Sequence, residues 1–273
     1  MRTLAPLAFV FCMACNARST SPVAGPAMVA GPAMGELVEL GPESGSPTPA
    51  DASDEPPPRD IGPYELPFLP KRSVYLVVPA STSSPQRLIA NLHGLCNPPG
   101  YACGFWTQAA SEVGFLVCPE GNARCGPGAY SAPTWTESFE AMSQDLERAI
   151  EATSDAYPGQ VSREGAVLTG FSRGGYAAAA LASAHPGRWP FLVLVEADVT
   201  LTLPMLRQAG VRSVAMLAGE RGSQLAGEKT TCDALAKQGF PIRLYVMPKV
   251  GHSYSADIDE QMRQALAFVL AHE

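Results

Sequence analysis

The sequence is short of charge, of basic residues and of long apolar runs, and each shortage excludes a class of protein. Charged residues make up 16% of the 273 residues, and the formal net charge is −7. Nucleic-acid binding needs a basic patch, so no nucleic-acid partner is expected. The apolar run at residues 4–14 is too short to span a bilayer as a helix. Only four histidines occur, they are scattered, and the cysteines after residue 60 lack the C-x2-C spacing of zinc sites. No metal or cofactor is therefore expected.

The first fifteen residues are predicted to be an export signal. Arg2 precedes the apolar run, which ends at Ala14-Cys15. This junction resembles the lipobox of bacterial lipoproteins, which implies lipidation of Cys15, although Cys12 stands where the lipobox usually has Leu. The expected location is exported and membrane-anchored through this lipid alone. Free secretion to the periplasm or beyond, and no export at all, are the alternatives.

Residues 16–60 are rich in Pro, Gly, Ser, Ala and acidic residues, and the hexapeptide VAGPAM occurs twice in tandem, at 23–28 and 29–34. This composition cannot bury a core, so it predicts a disordered tether between the anchor and a domain. A low-complexity insert with no such role is the alternative. The folded domain is expected to span residues 61–273.

In that domain, short apolar runs alternate with helical patterns. The predicted strands are 73–78, 88–92, 115–118, 166–169, 191–195, 214–217 and 242–247. The predicted helices are 106–113, 139–156, 175–184, 203–209, 225–237 and 258–271. This alternation predicts an α/β fold, with a mostly parallel central sheet and helices on both faces. Ligands bind such sheets at the carboxyl ends of the strands, and His93, Cys118, Ser172 and His252 each follow a predicted strand.

Ser172 lies in the pattern Gly170-Phe171-Ser172-Arg173-Gly174, which fits G-x-S-x-G. A predicted strand precedes the pattern and a small-residue helix follows it. The glycines leave room for a sharp strand-to-helix turn that exposes the serine oxygen. The serine is therefore predicted to be a nucleophile, and the N–H of Arg173 is predicted to help bind an oxyanion.

From residue 73 to the C-terminus, the chain resembles the α/β-hydrolase superfamily. It is most similar to secreted esterases of the polyhydroxybutyrate depolymerase and feruloyl esterase type and to dienelactone hydrolase-like esterases. The resemblance implies that the His93-Gly94 turn precedes the other oxyanion N–H, which belongs to Leu95 or Cys96, and that His93 is structural. It also implies that His252, which follows the last strand, is the catalytic base.

The acid of a Ser-His-acid triad is not evident in the sequence. The resemblance implies an Asp shortly after the strand at 214–217, but that position is Gly222. Glu220 follows the same strand and is ranked first. Some hydrolases take the acid from the end of the preceding strand, where Glu196 and Asp198 stand; Asp198 is ranked second.

Four of the remaining cysteines are predicted to form disulfides, which export permits. Cys96 and Cys103 have the same spacing as Cys118 and Cys125. The preferred pairing is therefore local, Cys96–Cys103 and Cys118–Cys125, although four cysteines allow three connectivities. Cys232 is left over as a buried thiol.

The expected function is hydrolysis of carboxylic esters, either small molecules or polymers, by a serine nucleophile. A lipid-anchored binding protein that has kept the fold and lost part of the triad is the alternative. A prolyl-type peptidase is disfavoured, since no propeller-sized segment precedes the domain. An aromatic or apolar acyl group is suggested by five aromatic residues near the expected active edge: Tyr101, Phe105, Trp106, Tyr130 and Trp135. Packing within a lid is the alternative role for these residues, with equal weight.

Overall fold

Strands and helices alternate along the folded domain, as the sequence patterns predict. A computed structural model of the protein describes residues 60–81, 85–128, 131–136 and 138–273. The predicted export signal, Cys15, Tyr130 and all but the last residue of the predicted tether lie outside the described residues. The strands are β1 (Tyr64–Leu69), β2 (Arg72–Val77), β3 (Gln86–Leu92), β4 (Gly114–Pro119), β5 (Ala123–Arg124), β6 (Pro133–Thr134), β7 (Val161–Phe171), β8 (Phe191–Val195), β9 (Ser213–Gly219) and β10 (Ile242–Met247). The helices are α1 (Pro99–Gly104), α2 (Thr107–Ser111), α3 (Phe139–Ala156), α4 (Arg173–Ala184), α5 (Leu203–Ala209), α6 (Leu225–Ala236) and α7 (Ile258–Leu270).

Eight strands form one sheet in the order β1-β2-β4-β3-β7-β8-β9-β10, while β5 and β6 form a small separate hairpin. The six strands from β4 to β10 along this order pair in parallel, and β1 and β2 add an antiparallel edge. This confirms the prediction of a mostly parallel central sheet. Within the described ranges, no helix has both the length and the apolar character needed to cross a bilayer.

The sheet is buried on both faces, because its central strands carry apolar side chains on both sides. Along β8, Leu192 and Leu194 pack into one core, and Phe191, Val193 and Val195 pack into the other. Helices α3 to α6 cover the first face, and α1, α2 and α7 cover the second. The helices thus lie on both faces, as predicted.

Local capping signals explain where two of the helices begin. Helix α3 begins after Ser138, whose side-chain oxygen accepts a hydrogen bond from the N–H of Ala141 at 3.2 Å. Helix α5 begins after Thr202, which caps it in the same way, and ends at Gly210 in the left-handed conformation. The sequence patterns missed β1 and α1, because β1 is an edge strand only half buried and α1 has six residues.

Parallel pairing brings the carboxyl ends of the central strands to one edge of the sheet. Leu92 pairs with Gly170, Phe171 pairs with Val195, and Val195 pairs with Leu217. The turns that follow these strands are therefore neighbours in space. This edge is where the sequence-predicted site residues meet.

The disulfide pairing predicted from equal spacing is wrong. The structure joins Cys96 to Cys125 and Cys103 to Cys118, with Cα–Cα distances of 5.6 and 5.9 Å. Cys103 lies on the buried face of α1, which packs on β4 where Cys118 is also buried. Cys96 and Cys125 instead lie in exposed loops that meet above the sheet edge. Cys232 is the free cysteine among the described residues and is half buried.

Candidate active site

Ser172 occupies the sharp turn between β7 and α4. Its backbone has φ 52° and ψ −120°, a left-handed region that costs free energy for any residue with a Cβ. The N–H of Ser172 donates to the carbonyl of Val195 on the neighbouring strand at 2.8 Å. The turn is therefore held by the sheet, and the serine side chain projects at the edge.

The glycines of the motif are required by close backbone contacts. A Cβ at Gly174 would lie 1.8 Å from the carbonyl oxygen of Leu92, and one at Gly170 would lie 2.3 Å from the backbone of Gly174. A Cβ at Gly175 would lie 2.6 Å from that of Ala197. Any larger residue at these positions would push the turn away from its neighbours.

His252 lies in the loop between β10 and α7 and contacts Ser172 directly. Its Nε2 lies 2.8 Å from Ser172 Oγ, and its Nδ1 lies 3.0 Å from Glu196 Oε2. The ring also packs against Phe171, with centroids 5.1 Å apart. The structure thus brings the two residues predicted as nucleophile and base within hydrogen-bond distance, with a carboxylate on the opposite ring nitrogen.

Glu196 is the carboxylate that reaches His252, and its side chain is fully buried. It follows directly after β8, with φ 54°, and its Oε1 accepts a hydrogen bond from the N–H of Gly219. Burial raises the pKa of Glu196, while the hydrogen bonds from Gly219 and His252 oppose that rise. Donation from Nδ1 to this carboxylate would leave Nε2 as the acceptor that faces the Ser172 hydroxyl.

Glu220 and Asp198, the acids ranked first and second from the sequence, make their hydrogen bonds to residues other than His252. The predicted ranking is therefore wrong. Glu220 Oε2 accepts a hydrogen bond from the N–H of Lys249 at 2.8 Å, so its carboxylate supports the turn after β10. Asp198 Oδ1 accepts a hydrogen bond from the hydroxyl of Tyr176. Both acids are exposed, whereas Glu196 points inward from the end of β8.

The position expected to carry the acid still adjoins this site. A Cβ placed on Gly222 would lie 3.1 Å from Glu196 Oε2. The longer side chain of Glu196, which starts one strand away, therefore puts its carboxylate where a short acidic side chain at position 222 would point. A signal in the sequence was present but weak: Glu196 directly follows an uninterrupted apolar strand, where a charged side chain needs a partner.

The turn after β3 lies against the serine turn. A Cβ at Gly94 would lie 2.9 Å from the ring of Phe171 and 3.4 Å from its carbonyl oxygen. Leu95 follows Gly94, and its side chain is 60% exposed. Arg173 is the first residue of α4, so its N–H lies at the positive end of that helix. The two turns predicted to supply oxyanion donors are therefore adjacent.

His93 is buried and joins three segments around this turn. Its Nδ1 lies 2.8 Å from the carbonyl of Gly94, and its Nε2 accepts a hydrogen bond from the N–H of Gly121 at 2.9 Å. Trp135 donates its indole N–H to the His93 carbonyl at 2.8 Å and stacks on the ring. Burial lowers the pKa of His93 to about 4, so the ring is neutral at neutral pH. These contacts are what a structural histidine would make.

A chain of aromatic rings leads from His252 to the surface. Phe171 packs on Tyr254, Tyr254 on Phe105, and Phe105 on Tyr101, with centroid distances of 4.8, 4.4 and 4.8 Å. A surface cavity of about 290 Å³ is lined by Gly100, Tyr101, Gly104 and Phe105. Trp106 and Trp135, by contrast, are core residues, because both are almost fully buried.

At the level of sequence, no protein-family model and no curated protein matches this chain. Solved structures do match it. The Pyrobaculum calidifontis esterase aligns with a TM-score of 0.55 and 13% identity, over 74% of this chain and 82% of that one. A ferulic acid esterase aligns with a TM-score of 0.52 and 15% identity, over 74% and 93%. The fluorophosphonate-binding serine hydrolase F of Staphylococcus aureus aligns with a TM-score of 0.51 and 14% identity, over 76% and 96%.

The fold is therefore the α/β-hydrolase fold, as the sequence resemblance implied. Identities this low establish the architecture alone, and function has to be argued from the site. Among the described residues, no group of three or more His, Cys, Asp or Glu side chains is placed to hold a metal ion.

Proposed function

We propose that the protein is a serine hydrolase that cleaves carboxylic esters, with Ser172 as nucleophile, His252 as base and Glu196 as acid. The observation that carries the proposal is the continuous hydrogen-bond chain from Ser172 Oγ through both nitrogens of His252 to Glu196. Three side chains from separate loops are aligned as nucleophilic catalysis requires. The strained serine turn supports the same conclusion.

In this mechanism, Ser172 Oγ attacks the ester carbonyl carbon and its proton moves to His252 Nε2. The carbonyl oxygen becomes an oxyanion, for which the N–H groups of Leu95 or Cys96 and of Arg173 are the proposed donors. Collapse of the intermediate breaks the ester C–O bond, and His252 gives its proton to the departing alkoxide. Water then attacks the acyl-enzyme with His252 as base, which releases the acid and restores Ser172.

Burial of Glu196 gives its carboxylate two roles in this cycle. A carboxylate with no exposed surface cannot rely on water, so it needs the protein hydrogen bonds that it receives. When His252 becomes cationic, the pair gains an attraction that is strong in a buried environment. Glu196 therefore orients the imidazole in the resting enzyme and stabilises the imidazolium in the transition state.

The proposed substrates are esters, small or polymeric, whose acyl group is aromatic or otherwise apolar. The aromatic chain from His252 to the cavity at Tyr101 and Phe105 supports this choice. One of the structural neighbours is a ferulic acid esterase, which is compatible with an aromatic acyl group. Apolar lining of this kind favours an apolar group by the area it removes from water.

The alternative, a lipid-anchored binding protein with an incomplete triad, depended on the absence of an acid near His252. The contact between Glu196 and His252 supports the hydrolase over that alternative. Export and anchoring through Cys15 remain part of the proposal. The two disulfides are compatible with an oxidising compartment.

Labelling with a fluorophosphonate probe tests the proposal without a known substrate. The probe phosphonylates an activated serine, and fluoride leaves. We expect the wild-type protein to be labelled, Ser172→Ala to be unlabelled, and Ser223→Ala, which changes an exposed serine, to label like the wild type. Folded wild-type protein that resists the probe would refute the proposal and return the binding-protein alternative.

A further inference from the structure

A second buried glutamate lies beside the proposed acid. Glu228, in the first turn of α6, has no exposed surface. Its Oε1 accepts a hydrogen bond from the N–H of Ala197 at 2.8 Å. Ala197 follows Glu196, so this bond holds the peptide group that links the two residues.

That peptide group needs to be held, because Glu196 has a backbone conformation that side chains rarely adopt. With φ at 54°, the conformation persists only where surrounding contacts fix it. The N–H of Glu196 donates to the carbonyl of Leu217 at 2.8 Å, and the next N–H, that of Ala197, donates to Glu228. One bond comes from the sheet and the other from a side chain.

We propose that Glu228 is a positioning residue, which keeps the carboxylate of Glu196 directed at His252 by binding the peptide group after it. The inference rests on the proposed function, since it assigns Glu228 a role through the catalytic acid. Glu228 does not touch the reacting atoms. Its effect is to fix the direction in which the Glu196 side chain leaves the backbone.

The environment of Glu228 suits a neutral carboxyl group. Among the described residues, no partner reaches its buried Oε2. The titratable groups that face it are the acids Glu196 and Asp198 and the phenol of Tyr176. Burial first, and then those two acids, raise the pKa of Glu228 to about 8. A neutral carboxyl group still accepts the N–H of Ala197, without placing a second negative charge beside Glu196.

Three variants separate this role from a merely structural one. Glu228→Met keeps similar volume but removes the acceptor, and Glu228→Gln keeps a neutral acceptor. Thr231→Val is the matched control, because Thr231 lies on the same helix and donates to the carbonyl of Val199 on the same loop. The readout is the second-order rate constant for fluorophosphonate labelling, measured from pH 6 to 9 in full-length protein with the native near-ultraviolet circular dichroism.

We expect Glu228→Met to slow labelling by about ten- to a hundredfold, the scale of a small misplacement in an active site. Glu228→Gln and Thr231→Val should stay within about threefold of the wild type at pH 7. In a Glu196→Gln background, Glu228→Met should have almost no further effect, because residues that act through one another are not additive. Above pH 8, wild-type labelling should depart from the Glu228→Gln profile.

Either of two results would overturn the inference: Glu228→Met that labels like the wild type, or an equal loss in the wild-type and Glu196→Gln backgrounds. If Glu228→Met does not fold, Glu228→Gln decides, since a tenfold loss at pH 7 in that folded variant contradicts a neutral acceptor. Failure of the proposed function has a different signature. In that case the wild-type protein itself is not labelled.

Discussion

Glu196 and His252 are joined by a hydrogen bond of 3.0 Å that passes over an intervening strand, because Glu196 follows β8 and His252 follows β10. The strand between them, β9, ends at Gly219, whose N–H donates to the other oxygen of the same carboxylate. A Cβ at Gly219 would lie 2.9 Å from Glu196 Oε1 and 2.1 Å from the carbonyl oxygen of Gly251. Glycine at this strand end therefore leaves room both for the buried acid and for the histidine loop.

Glu196→Gln should lower kcat by about 10²- to 10⁴-fold, because the amide cannot stabilise the imidazolium as a carboxylate does. KM should change little, since Glu196 is buried away from the surface. Steady-state kinetics on a chromogenic ester measures both constants. Glu220→Gln is the matched control, because its side chain contacts Lys249 and not His252. A larger loss in Glu220→Gln than in Glu196→Gln would contradict the assignment.

The acid should be movable to position 222. The substitution Glu196→Gly removes the acid, and its glycine tolerates the positive φ. Adding Gly222→Asp to this variant should raise kcat at least about tenfold above that of Glu196→Gly alone. The reason is that a Cβ at Gly222 lies 3.1 Å from the present site of Glu196 Oε2. In the wild-type background, Gly222→Asp should instead reduce activity, because two like charges would share one buried site. Gly222→Asn is the control, and rescue by Asn equal to that by Asp would rule out a role for the charge.

The disulfides should differ in their effect on activity. Removing Cys96–Cys125 by a double Ser substitution should lower kcat while most of the fold remains, because Cys96 lies in the proposed oxyanion turn. Removing the buried Cys103–Cys118 should cost stability, about 3 kcal/mol for its loop and somewhat less than the longer Cys96–Cys125 loop costs, but it should leave the proposed oxyanion turn in place. Urea unfolding and ester hydrolysis on both variants measure the contrast. Equal loss of activity per unit of lost stability in the two variants would contradict it.

Stability should depend on pH through Glu228. Its pKa is about 8 in the folded protein against an ordinary value of 4.5. The folded state therefore holds a proton that the unfolded state releases, and the contribution of Glu228 is fully present below pH 4.5 and falls as pH rises to 8. The slope is at most about 1.4 kcal/mol per pH unit. Urea unfolding from pH 5 to 8 should show Glu228→Gln gaining on the wild type as pH rises, and parallel curves would contradict the shift.

Tyr101 should affect which acyl chains are preferred. Tyr101→Ala should lower the ratio of kcat/KM for octanoyl over acetyl esters by about three- to tenfold, because it removes apolar contact area near Phe105. Val246→Ala removes an exposed apolar side chain on the edge strand β10 and serves as the control. A ratio unchanged in Tyr101→Ala would place acyl binding elsewhere.

Apolar runs and helical periodicity predicted seven of the eight strands of the sheet, because fully apolar strands such as β8 and a strongly amphipathic α3 leave little ambiguity. The serine motif was equally readable, since G-x-S-x-G is a pattern of five consecutive residues. The acid was not readable, because its position depends on how far a side chain reaches across neighbouring strands. The disulfide pairing failed for a related reason: equal spacing along the chain says nothing about which cysteine faces the sheet.

The N–H of Ser172 donates to the carbonyl of Val195, the residue before Glu196. Two members of the proposed triad thus directly follow adjacent strands, β7 and β8, and this hydrogen bond joins the ends of those strands beside the site. Ser172 and Glu196 directly follow the last residues of β7 and β8, whereas His252 lies further from Met247, the last residue of β10. Heat should consequently inactivate the protein before it melts, as the histidine loop departs from a serine and a glutamate that remain in register.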